Sequence, residues 1–238
     1  MDSTPNTYGV AIVVGNTHLR WAKFHRQGLG AVAVTPIHTP NFCANFASEL
    51  GNPALVAIAS VVPPWTTLLC QQLHNFPLHI LSLNDIPLQG MYPTLGIDRA
   101  IGAWQAGQMY GTGVLVIDGG TAISLTAIDQ HFTLVGGAIL PGRAMQLASL
   151  HRHTANLPHL QVSANFPPLW GKDTSTSIHS GVNYGTIGAV GKFLEMWSGQ
   201  VVFTGGDGQF LHQALGRGDY VPDLLLLGVH HLCLPLLL

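Results

Sequence analysis

Two stretches of the chain, residues 9–24 and 113–128, share one pattern. They read GVAIVVGNTHLRWAKF and GVLVIDGGTAISLTAI. Each begins with Gly-Val, continues as an apolar run, turns on small residues and resumes with further apolar side chains, which predicts a β-hairpin in both places. Two apolar hairpins can also look alike by chance, because most turns use the same few residues. If the likeness is a true repeat, the chain consists of two similar halves.

The two hairpins align at two different offsets. An offset of 105 residues places Val13 opposite Asp118. An offset of 104 residues instead matches Gly15-Asn16-Thr17 to Gly119-Gly120-Thr121. Either alignment puts a glycine turn at the end of the first strand of each half.

The remaining segments alternate in the manner of an α/β protein. In the first half, strand, helix and strand patterns follow one another and predict a βαβ unit, before a further helix over residues 96–111. In the second half, the pattern predicts two strands joined by a glycine turn and a helix within residues 131–154, a helix within 173–199, and a strand, glycine turn and helix within 200–215. We expect two α/β domains, residues 1–111 and 112–238.

Charged residues are scarce in this chain. They make up 8% of it, against about 25% in ordinary soluble proteins, whereas apolar residues make up 47%. The surface is therefore either built from His, Gln, Asn, Ser and Thr or partly buried against a second copy of the chain, and we expect the second. The net charge of -2 and the absence of a basic run argue against a nucleic-acid partner.

The cysteines and the chain ends bear on location. The three cysteines are odd in number and far apart, so no disulfide framework is predicted and a cytoplasmic protein is expected. The N-terminal residues lack the positive region of a signal peptide. The C-terminal apolar tract is interrupted by two histidines and a proline, so we expect no membrane span.

Three glycine turns follow predicted strands, at residues 15–17, 118–121 and 204–208. Glycine lets the backbone approach a ligand closely, and successive N–H groups in such turns bind anions. The threonine hydroxyls of the first two turns are further donors to phosphate. Neither GxxxxGK[ST] nor GxGxxG is present, so these turns match neither of the two common phosphate-binding motifs.

Two acidic residues stand where they could serve phosphate chemistry. Asp118 ends an apolar strand at a glycine turn and could bind a cation; the alternative is that it only caps the turn. Asp98 and Arg99 open a helix, where Asp98 could accept a proton from a substrate hydroxyl and Arg99 could bind an anion. The alternative is that Asp98 caps the helix and Arg99 is solvated.

An ordered set of motifs resembles that of the type III pantothenate kinases. The motifs are GNT, GIDR, DGGTA, GGAILPG, GKDT with SIHSG, and TGGDG, and the likeness extends from about residue 9 to residue 230. The resemblance implies the two-lobed acetate/sugar kinase, Hsp70 and actin-like fold, which is α/β, ribonuclease H-like and built from a duplicated domain. That agrees with the repeat.

The resemblance also implies an activity: ATP-dependent phosphorylation of pantothenate to 4'-phosphopantothenate, the first step of coenzyme A biosynthesis. It further implies Mg²⁺, a monovalent cation (K⁺ or NH₄⁺) and a homodimer. In each lobe a phosphate-binding turn is expected, with the GIDR motif in the first lobe and the DGGTA and TGGDG motifs in the second.

Each matched motif brings a residue role with it. Asp98 would be the catalytic base, Asp118 the ligand of the monovalent cation and Thr121 an ATP contact. The pantothenate pocket would include Tyr92, Gly96, Ile97, Arg99 and Thr174. The ATP phosphates would be held by the first turn, namely Val13, Val14, Gly15, Asn16, Thr17, His18, Leu19 and Arg20.

Val13 departs from the family pattern, which has an acidic residue two positions before the glycine of GNT. A valine cannot coordinate Mg²⁺ directly or through water. We expect the metal to be bound mainly by the ATP phosphates; the alternatives are slow catalysis and a fold that has lost kinase activity. Two other functions therefore stay open: a non-catalytic regulator on this fold, and a kinase for another small metabolite such as a sugar or a carboxylate.

Overall fold

The computed structural model describes residues 7–37 and 42–237. The first elements along the chain form a mixed sheet with helices. They are, in order, β1 (Gly9–Val14), β2 (His18–His25), β3 (Gly28–Leu29), β4 (Ala33–Pro36), α1 (Phe42–Leu50), β5 (Leu55–Ser60), α2 (Pro63–Gln72), β6 (Leu78–Ile80) and α3 (Ile97–Tyr110).

The later elements form a second mixed sheet and its helices, and end with a helix at the C-terminus. They are β7 (Val114–Gly119), β8 (Ala122–Ile128), β9 (Leu134–Pro141), α4 (Arg143–Arg152), α5 (Thr174–Glu195), β10 (Gln200–Thr204), α6 (Gly208–Leu215), β11 (Asp219–Tyr220) and α7 (Leu224–Cys233). Short 3₁₀ turns occupy Leu83–Asp85 and Leu234–Leu237.

The two sheets repeat one arrangement of strands. In the first, β1 pairs antiparallel with β2 and parallel with β5, and β5 pairs parallel with β6. In the second, β7 pairs antiparallel with β8 and parallel with β10, and β10 pairs parallel with β11. Both predicted hairpins and the predicted βαβ unit are therefore present, and the repeat in sequence is a repeat in structure.

The turns explain why the hairpins align at two offsets. Before the turn, the last paired residues are Val14 in one hairpin and Gly119 in the other, an offset of 105. After it, the first paired residues are Leu19 and Ile123, an offset of 104. The first turn is one residue longer, so Val13 and Asp118 hold the same strand position.

The chain divides into two compact units, each with its own core. Unit 1 contains the described residues up to Met109, Phe132–Leu134 and those from Asp223 onward; unit 2 contains Tyr110–His131 and Val135–Pro222. In both, the first strand and its parallel neighbour are almost completely buried, as expected for strands covered on both faces. The core of unit 1 includes Val10, Ile12, Ile58, Phe46 and Leu69; that of unit 2 includes Leu115, Ile117, Phe203, Val190 and Leu211.

The C-terminal helix departs from the expected division at residue 111. The sequence places it in the second domain, whereas in the structure α7 belongs to unit 1. Its apolar side chains, among them Leu224 and Val229, are buried there. Gly228 allows the close approach to α3, because a Cβ at that position would overlap Cγ2 of Ile101. The helix α7 packs in unit 1 because this buries its apolar surface. The order of the elements along the chain does not reveal which unit provides that burial.

The predicted glycine turn within residues 131–141 is wrong. The chain instead continues through Gly136 and Gly137 as the single edge strand β9. Side chains along β9 alternate between half-buried and exposed, and Ala138 and Leu140 pack against the core of unit 2. Such alternation is the pattern of a continuous strand, in which successive side chains point to opposite faces. Packing of one face against the core accounts for a strand that continues through the glycines.

Two further expectations concern thiols and membranes. Cys70 and Cys233 are free thiols, and the side chain of Cys43 lies outside the described part of the structure. Among the helices that the structure describes, none has the length and apolar character needed to span a bilayer.

Candidate active site

The turn between β1 and β2 presents backbone rather than apolar side chains. The Gly15 amide donates to the carbonyl of His18 over 3.0 Å, which closes the turn, and the residues between them are exposed. Thr17 Oγ1 lies 3.0 Å from His18 Nδ1. The side chains of Val14 and Leu19 are buried in the core of unit 1. Only the backbone of those two residues is therefore able to contact a nucleotide as predicted.

Val13 leaves the end of β1 without a carboxylate. It pairs with Arg20 on β2 and with Ala59 on β5, and its side chain is buried. At the same position in unit 2, Asp118 pairs with Ser124 and Thr204. The two units thus differ in charge at the strand end where the repeat would place an acid twice.

Arg20, another residue predicted to contact phosphate, is engaged in an ion pair within unit 1. Its Nη2 donates to Oδ1 of Asp223 over 2.5 Å, and both side chains are about one-third exposed. Asp223 directly precedes α7. The pair therefore links β2 to the start of the C-terminal helix.

Asp98 lies in the first turn of α3 and is half-buried. Its Oδ1 accepts a hydrogen bond from the Arg99 amide over 2.8 Å. Burial raises the pKa of the Asp98 carboxyl above its ordinary value, although the hydrogen bond from Arg99 and the charge of Arg99 act in the opposite direction. Gly96 makes room for it, because a Cβ there would lie 2.5 Å from Asp98 Oδ1.

Arg99 and Tyr92 form the polar neighbourhood of Asp98. Arg99 Nη1 donates to the Tyr92 hydroxyl over 2.9 Å, and Tyr92 is 42% exposed. A second bond, from the Leu95 amide to the Tyr92 carbonyl over 3.0 Å, shapes the loop before α3. The structure thus brings the predicted base and two predicted substrate residues together in unit 1.

In unit 2, Asp118 stands among closely packed glycine turns. Gly205 has φ of +81°, and a Cβ there would overlap the Asp118 carboxylate. Gly119 packs against the turn after β10: its carbonyl accepts a bond from the Asp207 amide over 2.7 Å, and a Cβ on it would lie 2.8 Å from the Gly208 nitrogen. Glycine at 205 thus allows the backbone to pack directly against the carboxylate, and a carboxylate is a common ligand of cations.

The start of α4 completes this cluster. The Gly142 amide donates to the Thr121 carbonyl over 3.1 Å, and a Cβ on Gly142 would lie 2.5 Å from the carbonyl oxygens of Gly120 and Thr121. The next residue, Arg143, is 3% exposed and pairs with Asp207 over 2.6 Å. Sequence analysis did not identify this pair. The available signal was a charged residue directly after a glycine turn in a chain with very few charges.

Thr174, the remaining predicted substrate residue, lies in unit 2. It is the first residue of α5, where the side chain of Asp173 caps the helix by accepting from the Thr176 amide over 2.8 Å. Thr174 lines a cavity of about 990 Å³ beside α4 and α5, together with Met145, Gln146 and Ile178. That volume is in the range of small-molecule sites, which extends to about 1,000 Å³.

Metal-binding clusters are absent from the residues that the structure describes: no three His, Cys, Asp or Glu side chains come together. A divalent ion would therefore find few protein ligands, in keeping with Val13 at the end of β1. Magnesium commonly binds through one or two carboxylates together with substrate phosphates, so this scarcity does not conflict with an ion that arrives with a nucleotide.

Solved structures with the same architecture include kinases. A Baf family transcriptional activator from Campylobacter jejuni has a TM-score of 0.66 and 23% identity, covering 95% of this chain and 98% of that one. A 2-dehydro-3-deoxygalactonokinase protein from Sinorhizobium meliloti has a TM-score of 0.60 and 14% identity, covering 95% and 96%. The expected acetate/sugar kinase, Hsp70 and actin-like fold is confirmed.

Sequence relatives are closer. A type III pantothenate kinase from Synechococcus elongatus is 40% identical over 240 residues, which cover 94% of this chain and 95% of the relative. The family model for type III pantothenate kinase matches residues 10–196. With the glycine turns, Asp98 and Asp118 in place, these likenesses show that the chain belongs to the type III pantothenate kinase family.

Proposed function

We propose that the chain transfers the terminal phosphoryl group of ATP to the terminal hydroxyl of pantothenate, with Asp98 as general base. The observation that most supports this role is the half-buried Asp98 carboxyl at the start of α3, beside Arg99 and Tyr92. In this reaction the hydroxyl oxygen bonds to the phosphorus, ADP leaves, and the hydroxyl proton passes to Asp98.

The raised pKa of Asp98 suits a base. Proton transfer is most efficient when the pKa of the catalytic group lies near the working pH, and burial moves the pKa of Asp98 in that direction. In its ionised form the carboxyl is able to accept the proton as the oxygen attacks. Its bond from the Arg99 amide fixes where that oxygen acceptor stands.

Arg99 is proposed to bind the carboxylate of pantothenate. A guanidinium pairs with a carboxylate in two parallel hydrogen bonds, and Arg99 is already oriented by its bond to Tyr92. Thr174, which lines the cavity of unit 2, stays a separate proposed contact for pantothenate. Positioning of this kind provides much of the rate in phosphoryl transfer.

Two ATP contacts are proposed, each within its own unit: the backbone N–H groups of the first turn with the Thr17 hydroxyl in unit 1, and the Thr121 hydroxyl in unit 2. The family implies ATP and a divalent metal ion, which neutralises charge on the phosphates when bound. Because Val13 supplies no carboxylate, we propose that this ion is held chiefly by the phosphates. For a monovalent cation, K⁺ or NH₄⁺, Asp118 is the proposed ligand, since it places a carboxylate among the glycine turns of unit 2.

A homodimer is proposed from the surface of unit 2. Apolar side chains stand in water there: Ile139 is 64% exposed, Met196 78% and Trp170 82%. Large apolar side chains exposed in this way are typical of surfaces that bind another protein. With only 8% charged residues, the chain has little else to keep such a surface solvated. A cytoplasmic location stays a prediction from the sequence.

A non-catalytic regulator on this fold remains the rival function, and Val13 is the feature that favours it. The likeness to a structure named as a transcriptional activator shows the fold alone at 23% identity. A kinase for another metabolite is the second rival.

A coupled assay of ADP release separates these functions. With ATP, Mg²⁺ and K⁺ present, we expect turnover with pantothenate and none with simple sugars or acetate. Asp98→Asn should lower kcat by about 10²- to 10⁴-fold, because it removes the proton acceptor. Asp129→Asn is the control, because this carboxyl accepts a hydrogen bond from the His131 amide and is not among the proposed site residues. No turnover with any acceptor would support the regulator, and unchanged kcat in Asp98→Asn would exclude Asp98 as the base.

The same variant should be more stable than the wild type at neutral pH. The pKa of Asp98 is raised on folding, so the protonated carboxyl favours the native state below the ordinary value of 3.8, and that stability is lost as pH rises through the raised pKa. Urea unfolding at pH 7 and at pH 3.5 should show an advantage for Asp98→Asn only at pH 7.

Asp85→Asn provides a control of opposite sign. Burial raises the pKa of Asp85, but its bonds from Ser82 and the nearby His79 together lower it. That carboxylate contributes stability at pH 7 that is lost as pH falls through the lowered pKa, so the variant should be less stable at pH 7. If Asp98→Asn is also less stable than the wild type at pH 7, burial of the Asp98 carboxylate does not destabilise the folded protein.

Asp118→Asn tests the cation site. We expect the K⁺ concentration for half-maximal activity to rise about tenfold or more, equivalent to about 1.4 kcal/mol of binding free energy, because an amide attracts a cation less than a carboxylate does. Asp129→Asn in the same unit is the matched control and should leave the K⁺ titration unaltered. An identical titration for both variants would remove Asp118 from the cation site.

Sedimentation equilibrium tests the dimer. The expected species has twice the chain mass of 25.3 kDa at micromolar concentration. A single species at 25.3 kDa under those conditions would contradict the proposed dimer without bearing on the reaction.

A further inference from the structure

Arg143 is a buried charge that the proposed reaction does not yet use. It is the first residue of α4, and its side chain is 4% exposed. Arginine is almost never buried to this degree unless it is paired. In a chain with only nine lysines and arginines, its burial beside the two glycine turns of unit 2 calls for an explanation.

The guanidinium joins three elements of unit 2. Its Nη2 donates to Asp207 Oδ1 over 2.6 Å, and its Nη1 donates to Asn183 Oδ1 over 2.9 Å and to the Ser163 carbonyl over 3.2 Å. The guanidinium carbon lies 3.7 Å from the centre of the Phe210 ring. Arg143 therefore connects the start of α4 with α5 and with the turn between β10 and α6.

Asp207, the partner of Arg143, also contacts the end of β7. Its side chain makes no cap for α6, and its backbone amide donates to the Gly119 carbonyl over 2.7 Å. In the same turn, the Gly208 amide donates to the Gly205 carbonyl, and Gly205 packs against the carboxylate of Asp118. Whatever holds Asp207 thus determines how closely the glycine turn approaches Asp118.

The backbone of Gly142, next to Arg143, contacts the other glycine turn of unit 2. The Gly142 amide bonds to the Thr121 carbonyl, in the turn that follows Asp118. Residues 142 and 143 together therefore contact both glycine turns of unit 2, one through backbone and the other through a side chain.

We infer that Arg143 is a positioning residue, which holds the Gly205–Asp207 turn against the end of β7 and so sets the geometry in which unit 2 binds the phosphates of a nucleotide and a monovalent cation. The inference rests on the proposed function for those two ligands. Arg143 does not contact them: it acts through Asp207, Gly119 and Gly205. A lysine cannot replace it, because a single ammonium group lacks the planar fork that bonds to Asp207 and Asn183 together.

Arg143→Lys is the principal test. We expect the KM for ATP and the half-saturating K⁺ concentration to rise about tenfold or more, which is usual when a partner that orients a ligand-binding group is replaced. The KM for pantothenate should stay within about twofold. Asp98, Arg99 and Tyr92 belong to unit 1, and the hydrogen bonds of Arg143 go to Ser163, Asn183 and Asp207 rather than to Thr174. Unchanged ATP and K⁺ dependence would mean that Arg143 serves only packing.

Arg217→Lys is the matched control. Arg217 is another arginine of unit 2, half-buried where Arg143 is buried, and it donates to the carbonyls of Leu194, Trp197 and Gly199. Arg217→Lys should have a lower melting temperature than the wild type and an unchanged KM for ATP. If both lysine variants raise that KM equally, the effect reflects general loosening of unit 2, and the inference fails.

A pair of further variants separates stability from positioning. Arg143→Met leaves the Asp207 carboxylate buried beside an apolar side chain and should lower the melting temperature. Adding Asp207→Asn removes that charge, so the melting temperature should recover while the KM for ATP stays high. Recovery of both quantities would show that only the unpaired charge mattered. Should Arg143→Lys fail to fold, Asp207→Asn alone tests the same hydrogen bond.

Binding of Mg·ADP without pantothenate separates this inference from the proposed function. In the presence of K⁺, Mg·ADP should raise the melting temperature of the wild type and do so much less for Arg143→Lys. Such a result with no pantothenate turnover would overturn the function and leave the positioning role in place. Equal shifts in the two proteins, with normal pantothenate turnover, would overturn the positioning role alone.

Discussion

Close approach of backbone to backbone at the ends of parallel strands is the constraint on which this site depends. In unit 2, Gly119, Gly142 and Gly205 meet where any side chain would overlap a neighbouring carbonyl, amide or carboxylate. Such packing brings the backbone of both glycine turns close to Asp118, an acid near the end of β7. A carboxylate in such a position is suited to bind a small cation.

Duplication built this arrangement twice, and the two copies have diverged in their charge. The hairpins share strand order, pairing direction and register, yet Val13 stands where the other copy has Asp118. A buried valine adds to the core of unit 1 and removes a metal ligand. In unit 1 the proposed role of an acidic group in the reaction therefore falls to Asp98, at the start of α3.

Stability and function oppose each other at the polar residues of the site. Asp98 is destabilised by burial, which raises its pKa, and the same burial makes it a better proton acceptor. Arg143 lies buried with its Nε unpaired among the described residues, although its other two nitrogens are satisfied. An apolar core would be simpler to stabilise, so these groups make most sense as parts of a binding site.

Local patterns in the sequence were sufficient for the two hairpins, the βαβ unit, the helix that begins at Ile97 and the positions of Asp98 and Asp118. Apolar periodicity and turn chemistry act over about ten residues, and each of these features lies within such a span. Only the tertiary structure decided that α7 packs in unit 1, that β9 runs through its glycines, and that Arg143 pairs with Asp207 and Arg20 with Asp223. Those outcomes depend on which distant surfaces can bury apolar area and satisfy charge together, and no short stretch of sequence contains that information.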